Sequence, residues 1–148
     1  MAKIKINSQY VKDLSFEIPK APEVFLNPNP KPNINVGIDI DAKKLSLNAY
    51  EVTLKITAKA SGDAEDAKNG EATPIFVCEV SYAGIFTLDE TLKDENEIEQ
   101  ILLIYCPNIL FPFSRKIIAN CVIDGGFPPL LLDPIDFSAI YEQRKKQK

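Results

Sequence analysis

The sequence predicts an α+β domain with a four-stranded antiparallel sheet, a long helix and a C-terminal amphipathic helix. Two observations carry that prediction. Apolar residues recur at every second position in several segments before residue 83, and at helical spacing after residue 97. Runs of strands followed by runs of helices favour an antiparallel sheet over alternating βαβ units. At 148 residues the chain fits one domain, residues 1–148, large enough to hide roughly two thirds of its unfolded surface.

In residues 9–18, Tyr10, Leu14, Phe16 and Ile18 fall on one face and Val11, Asp13, Ser15 and Glu17 on the other. This predicts a first strand with one wet face. Residues 19–32 hold five of the chain's eleven prolines, whose missing amide donors and fixed φ predict an extended crossover without helix or central strand. Ile34, Val36, Ile38 and Ile40 alternate in a second strand, weakened by Gly37. The cleanest alternation sets Tyr50, Val52, Leu54, Ile56 and Ala58 against Glu51, Thr53, Lys55, Thr57 and Lys59, a third strand. Residues 61–74 lack bulky apolar side chains and predict a flexible hairpin loop. A fourth strand follows over 75–82, where Phe76, Cys78, Val80 and Tyr82 form the more apolar face and Val77 and Glu79 lie on the other.

Helical spacing begins with Ile98, Ile101, Leu102 and Tyr105 behind the polar run DENE, which suits a helix start. Pro107 and Pro112 interrupt the next segment. Ile117, Ile118, Cys121 and Val122 then give a stripe ending at Gly125 and Gly126, as expected of a long helix with a proline near its start. Asp136 is positioned to cap a last helix with Phe137, Ile140 and Tyr141 on one side, before a basic tail over 142–148.

Composition narrows the function. An apolar fraction of 45% and a charged fraction of 26% exclude wholesale disorder and fibrous repeats. The first ten residues lack the apolar core and cleavage site of a secretory signal, and no run of about 18 apolar residues occurs. A cytoplasmic protein without membrane insertion is expected. The absence of histidine removes the commonest general base and metal ligand. Cys78, Cys106 and Cys121 are too widely spaced for a zinc motif. No catalytic residue, metal or cofactor is therefore expected. A net charge of −4 argues against nucleic acid and favours a basic partner.

Asp39 and Asp41 share a strand face and could suit a metal or an acid–base pair, but lack the further oxygens a hard cation needs. Cys106 could be imagined as a nucleophile, yet no histidine exists to activate it. The unusual material is apolar: Val24, Phe25 and Leu26 in the crossover, and the run from Phe127 to Leu132 before the last helix. Such loops either pack on their own core or form a binding surface. If the first and fourth strands are neighbours, Asp13, Glu17 and Glu79 form an acidic patch.

The segments YVKDLSFEIPKAPEVF, FVCEVSYAGIF and LLIYCPNILFPFSRKIIANCVIDGGFPPLLLDPIDFSAIY resemble the SecB family of bacterial protein-export chaperones. The resemblance implies a homotetramer assembled as a dimer of dimers, and an ATP-independent holdase that keeps secretory precursors unfolded and delivers them to the SecA motor. It places SecA contact on Asp13, Glu17, Val77 and Glu79. It places precursor binding on Val24, Phe25, Ile34, Val36, Ile38 and the stripe Phe137, Ile140 and Tyr141, and assembly on Cys78, Val80 and Tyr82. Residues 61–74 are long for that family, the basic end replaces a frequent acidic tail, and Phe113 stands where tyrosine is common. The competing reading is a carrier of small apolar ligands, whose greasy loops would close around a dry pocket.

Overall fold

The computed structural model describes residues 4–26, 32–62 and 73–147. Four strands, β1 (Ile4–Glu17), β2 (Asn33–Lys44), β3 (Ala49–Ser61) and β4 (Phe76–Leu88), form one antiparallel sheet in the order β1-β4-β3-β2. Each strand is longer than its sequence pattern suggested. β3 and β4 occupy the centre because both carry an unbroken apolar face, Val52 to Ala60 and Phe76 to Leu88 at alternate positions, and these residues are buried. Residues 63–72 of the expected hairpin loop lie outside the described residues.

β2 matches its predicted alternation, with Ile34, Val36, Ile38 and Ile40 opposite Ala60, Ala58, Ile56 and Leu54 on the core face. β1 departs from it. Leu14 and Phe16 pair with Val80 and Cys78 as expected, but Lys12 is a bulge, and the phase inverts before it. Val11 pairs with Tyr82 on the core face, and Tyr10 pairs with Ala83 on the wet one. The inversion has a cause on that face: Glu51 accepts from the Tyr10 hydroxyl and from Lys12 Nζ, at 2.8 Å for the lysine. Lys12 first, then Tyr10, hold the Glu51 carboxyl below its usual range, and burial with Glu51 pushes the Tyr10 phenol up to about 12.

The crossover does contain helix. Glu23–Leu26 forms one turn, α1, directly after Pro22, a residue already fixed near helical φ. The later helices also join: α2 (Glu95–Gln100), capped by Asp94, runs through a π-helical segment (Ile101–Tyr105) into α3 (Cys106–Asp124). Pro107 removes a backbone donor and crowds the preceding turn, and the wider π turn accommodates both effects. By length and composition the 30-residue span Glu95–Asp124 could cross a bilayer. In this fold Leu102, Cys106, Leu110, Ile118 and Val122 form a buried stripe against the sheet. The buried Ser114 hydroxyl donates to the Leu110 carbonyl at 3.1 Å.

Helix α4 (Phe137–Lys146) starts at Asp136, whose carboxylate accepts from the Ala139 amide at 3.1 Å. Most of the segment expected to be a basic tail is therefore helical. Its cations lie in the last turn, where they oppose the negative end of the helix dipole. Arg144 Nη1 donates to the Ile40 carbonyl at 3.0 Å and ties the helix to β2.

Candidate functional site

Two surfaces stand out, one apolar and one acidic. The apolar one begins where α3 stops. Gly126 donates to the Ile123 carbonyl and Phe127 to the Val122 carbonyl, a Schellman closure that requires the left-handed φ of 93° at Gly126. That closure turns Phe127 back over the sheet. Its ring meets Phe76 and Phe25, with centroids 5.0 and 5.2 Å apart, and Phe76 stacks on Phe16 at 5.5 Å. Gly125 is needed for the same cluster, since a Cβ there would lie 2.5 Å from the Phe16 ring.

Between this aromatic chain and the start of β2 runs a groove of about 610 Å³, lined by Val24, Phe25, Pro32, Ile34, Phe76, Val122, Phe127 and Leu130 among others. It is open to solvent: Phe25 is 44% exposed and Ile34 36%, and the next core-side residue of β2, Val36, is 44% exposed. β2 is also an edge strand, so one side of its backbone pairs with no other strand of this sheet. Four of the predicted binding residues thus border one groove or its extension, Val24, Phe25 and Ile34 in its lining and Val36 beyond it, and Ile38 is partly buried further along β2.

Helix α4 contributes differently from expectation. Phe137 and Tyr141 are buried, Phe137 packs edge-on to Phe111 at 6.2 Å, and Ile140 is half-buried against the core. Their stripe is consumed by the protomer itself. Phe16 and Phe76 are not among the expected binding residues, whereas Phe127 belongs to the apolar run that stands out before the last helix, and the GGF sequence signals the turn that positions it. A larger cleft of about 670 Å³ lies at the opposite end of the sheet, but Lys44, Lys93, Arg144 and several carboxylates mix with its leucines.

On the opposite sheet face, Asp13, Glu17, Val77 and Glu79 sit on paired strands: Glu17 faces Val77, Glu79 faces Ser15, and Asp13 faces Ser81. Strand pairing brings all four together. Lys55 reaches into this group, 2.7 Å from Glu79, and its ammonium pKa is raised, chiefly by the Glu79 hydrogen bond. Asp39 is the cross-strand partner of Lys55. No group of three or more metal-ligating residues occurs among the described residues. Burial pushes the Cys106 thiol up to about 12, opposite to what a nucleophile needs.

Of the residues expected in assembly, Cys78 and Val80 are fully buried under α3, and Tyr82 is nearly so and stacked on Phe113. They pack the chain's own core. The uncovered apolar residues nearby are Ile6, Val11 and Leu14 on β1, each more than 40% exposed, with Phe113 on α3. The Lys12 bulge puts Val11 on this face, which simple alternation could not show.

The family model described as preprotein translocase subunit SecB matches residues 1–148. Protein-export protein SecB of Acidiphilium cryptum is 41% identical, over 99% of this chain and 92% of its own length. The corresponding protein of a Wolbachia strain from Culex pipiens is 45% identical over the same shares. In structure the chain is similar to a SecB-like chaperone of Mycobacterium tuberculosis solved with an antitoxin-derived ChAD peptide, with a TM-score of 0.70 over 90% of this chain and 91% of that one, at 13% identity. Full-length family agreement and identities above two fifths leave one assignment: the chain belongs to the SecB family.

Proposed function

We propose that this protein is an ATP-independent holdase that keeps secretory precursors unfolded in the cytoplasm and hands them to SecA, catalysing no covalent chemistry. The observation that carries the reading is the open apolar groove beside the free edge of β2. An extended chain laid there can add backbone hydrogen bonds to the edge and place alternate side chains among Phe25, Phe76 and Phe127. Folded proteins bury both features, so the groove selects unfolded chains and opposes their folding by mass action. A carrier of small apolar molecules would enclose its ligand. This groove remains open along Phe25 and Ile34.

The purified protein is expected to slow the refolding of a destabilised secretory precursor without nucleotide. Unaltered refolding at excess protein would end the holdase reading. Val36→Asp and Phe25→Asp are each expected to weaken precursor capture several-fold while leaving the molecular mass unchanged, because both side chains are exposed and lie outside the buried core. Full capture by both variants would assign the groove to internal packing.

Assembly into a dimer of dimers is part of the same proposal, with Ile6, Val11, Leu14 and Phe113 as the apolar surface that a second copy covers. Val80 and Tyr82 flank that surface as the cross-strand partners of Leu14 and Val11, and Cys78 lies next along β4. Leu14→Asp is therefore expected to lower the mass measured by light scattering, since an unpaired charge in an apolar interface costs several kcal/mol. Val80→Asp is expected to unfold the protomer instead. An unchanged mass for Leu14→Asp at low concentration would remove β1 from the interface.

A further inference from the structure

We propose that Lys55 is an internal counter-ion that competes with SecA for the acidic face and so limits how tightly the motor is held. The inference rests on the further reading, proposed with it, that SecA docks on the acidic face of Asp13, Glu17 and Glu79, and it concerns the regulation of that docking.

The argument starts from strand register. Asp39 on β2 pairs with Lys55, Lys55 pairs with Ser81 on β4, and Ser81 pairs with Asp13 on β1, so the lysine stands in a row between two carboxylates. Its neighbour Thr57 pairs with Glu79, which brings that carboxylate diagonally within reach, and the ion pair closes at 2.7 Å. Lys55 holds the ion pair with Glu79, and Asp39 and Asp13 also favour its charged form, while Lys12 and Arg144 border the same cleft beside Asp13 and Asp39. A cationic segment approaching Glu79 therefore meets a carboxylate that already has a partner. It must either displace the Lys55 ammonium, which has a flexible stem and water beside it, or bind against an uncancelled positive charge. A face meant to hold its partner permanently gains nothing from such a residue. One that must release SecA after each delivery gains a ready replacement for the departing cation.

The test measures SecA affinity of the full-length protein at low ionic strength. Lys55→Gln is expected to tighten binding about two- to five-fold, the range of one exposed ion pair. Lys93→Gln changes net charge equally in the β4–α2 connection and is expected to leave affinity unchanged. Introducing Lys55→Gln into a Glu79→Gln background separates competition from bulk charge: the gain should shrink. Unchanged or weaker binding by Lys55→Gln overturns the proposal, as does a gain of the same size without Glu79. Either failure leaves the docking face standing if reversal of Asp13 and Glu79 still weakens binding tenfold or more. If that reversal has no effect, the face itself falls and the role of Lys55 falls with it.

Discussion

Replacing Phe76 by alanine is expected to cost about 3–5 kcal/mol of stability, the range for truncating a buried phenylalanine. The ring is 3% exposed and lies between Phe16 and Phe127, so its removal leaves a cavity and separates two other rings. In urea, where small proteins lose about 1–3 kcal/mol per molar, the unfolding midpoint should fall by at least 1 M with little change in slope. Precursor binding should fall too, because Phe76 is the floor of the groove. Phe25→Ser supplies the contrast: that ring is 44% exposed at the outer end of the aromatic chain, so capture should weaken while the midpoint falls much less than for Phe76→Ala. A midpoint shift below about 0.5 M for Phe76→Ala would mean that the aromatic chain is not packed as described.

The groove was only half legible in the sequence, for a physical reason. Val24, Phe25 and Phe127 stood out as apolar residues in irregular segments, where burial is not guaranteed, and Ile34 entered as a binding residue only through the family resemblance. Phe16 and Phe76 read simply as strand interior, since alternation assigns a face but not what covers it. The stripe on α4 shows the reverse error. Phe137 and Tyr141 have the spacing of a binding stripe, yet the same spacing serves a core helix, and only the contact with Phe111 decides between them.

The Lys12 bulge was invisible because one extra residue leaves the local pattern of VKDLSFE intact. Its signal lies far along the chain, at Glu51. The acidic face was legible despite the bulge, because Asp13, Ser15 and Glu17 all follow it and keep their phase. The joined helix was obscured by its prolines, which sequence reasoning treats as interruptions unless a π turn can be foreseen.

Reversing Asp13 and Glu79 together to lysine is expected to weaken SecA binding at least tenfold at low ionic strength. A single exposed charge pair contributes only about 0.2–1 kcal/mol, so Asp13→Ala alone should look mild. The double variant also adds two repulsions, and each tenfold in affinity needs only about 1.4 kcal/mol. A two-fold dimer would present the face twice, so a partner gripping both copies loses avidity as well as contacts. One internal effect must be separated: Glu79→Lys also breaks the ion pair with Lys55 and sets two lysines side by side. Cross-strand repulsion of this kind costs at most about 1 kcal/mol, so the fold should survive, which circular dichroism and an unchanged mass would verify. Precursor capture should also survive, because the groove lies on the other sheet face. The wild-type interaction itself should weaken with added salt, as the screening length falls from about 30 Å at 0.01 M to about 8 Å at physiological ionic strength. If the double variant binds SecA normally at both salt concentrations, the carboxylates of β1 and β4 are ordinary solvated surface and the motor docks elsewhere.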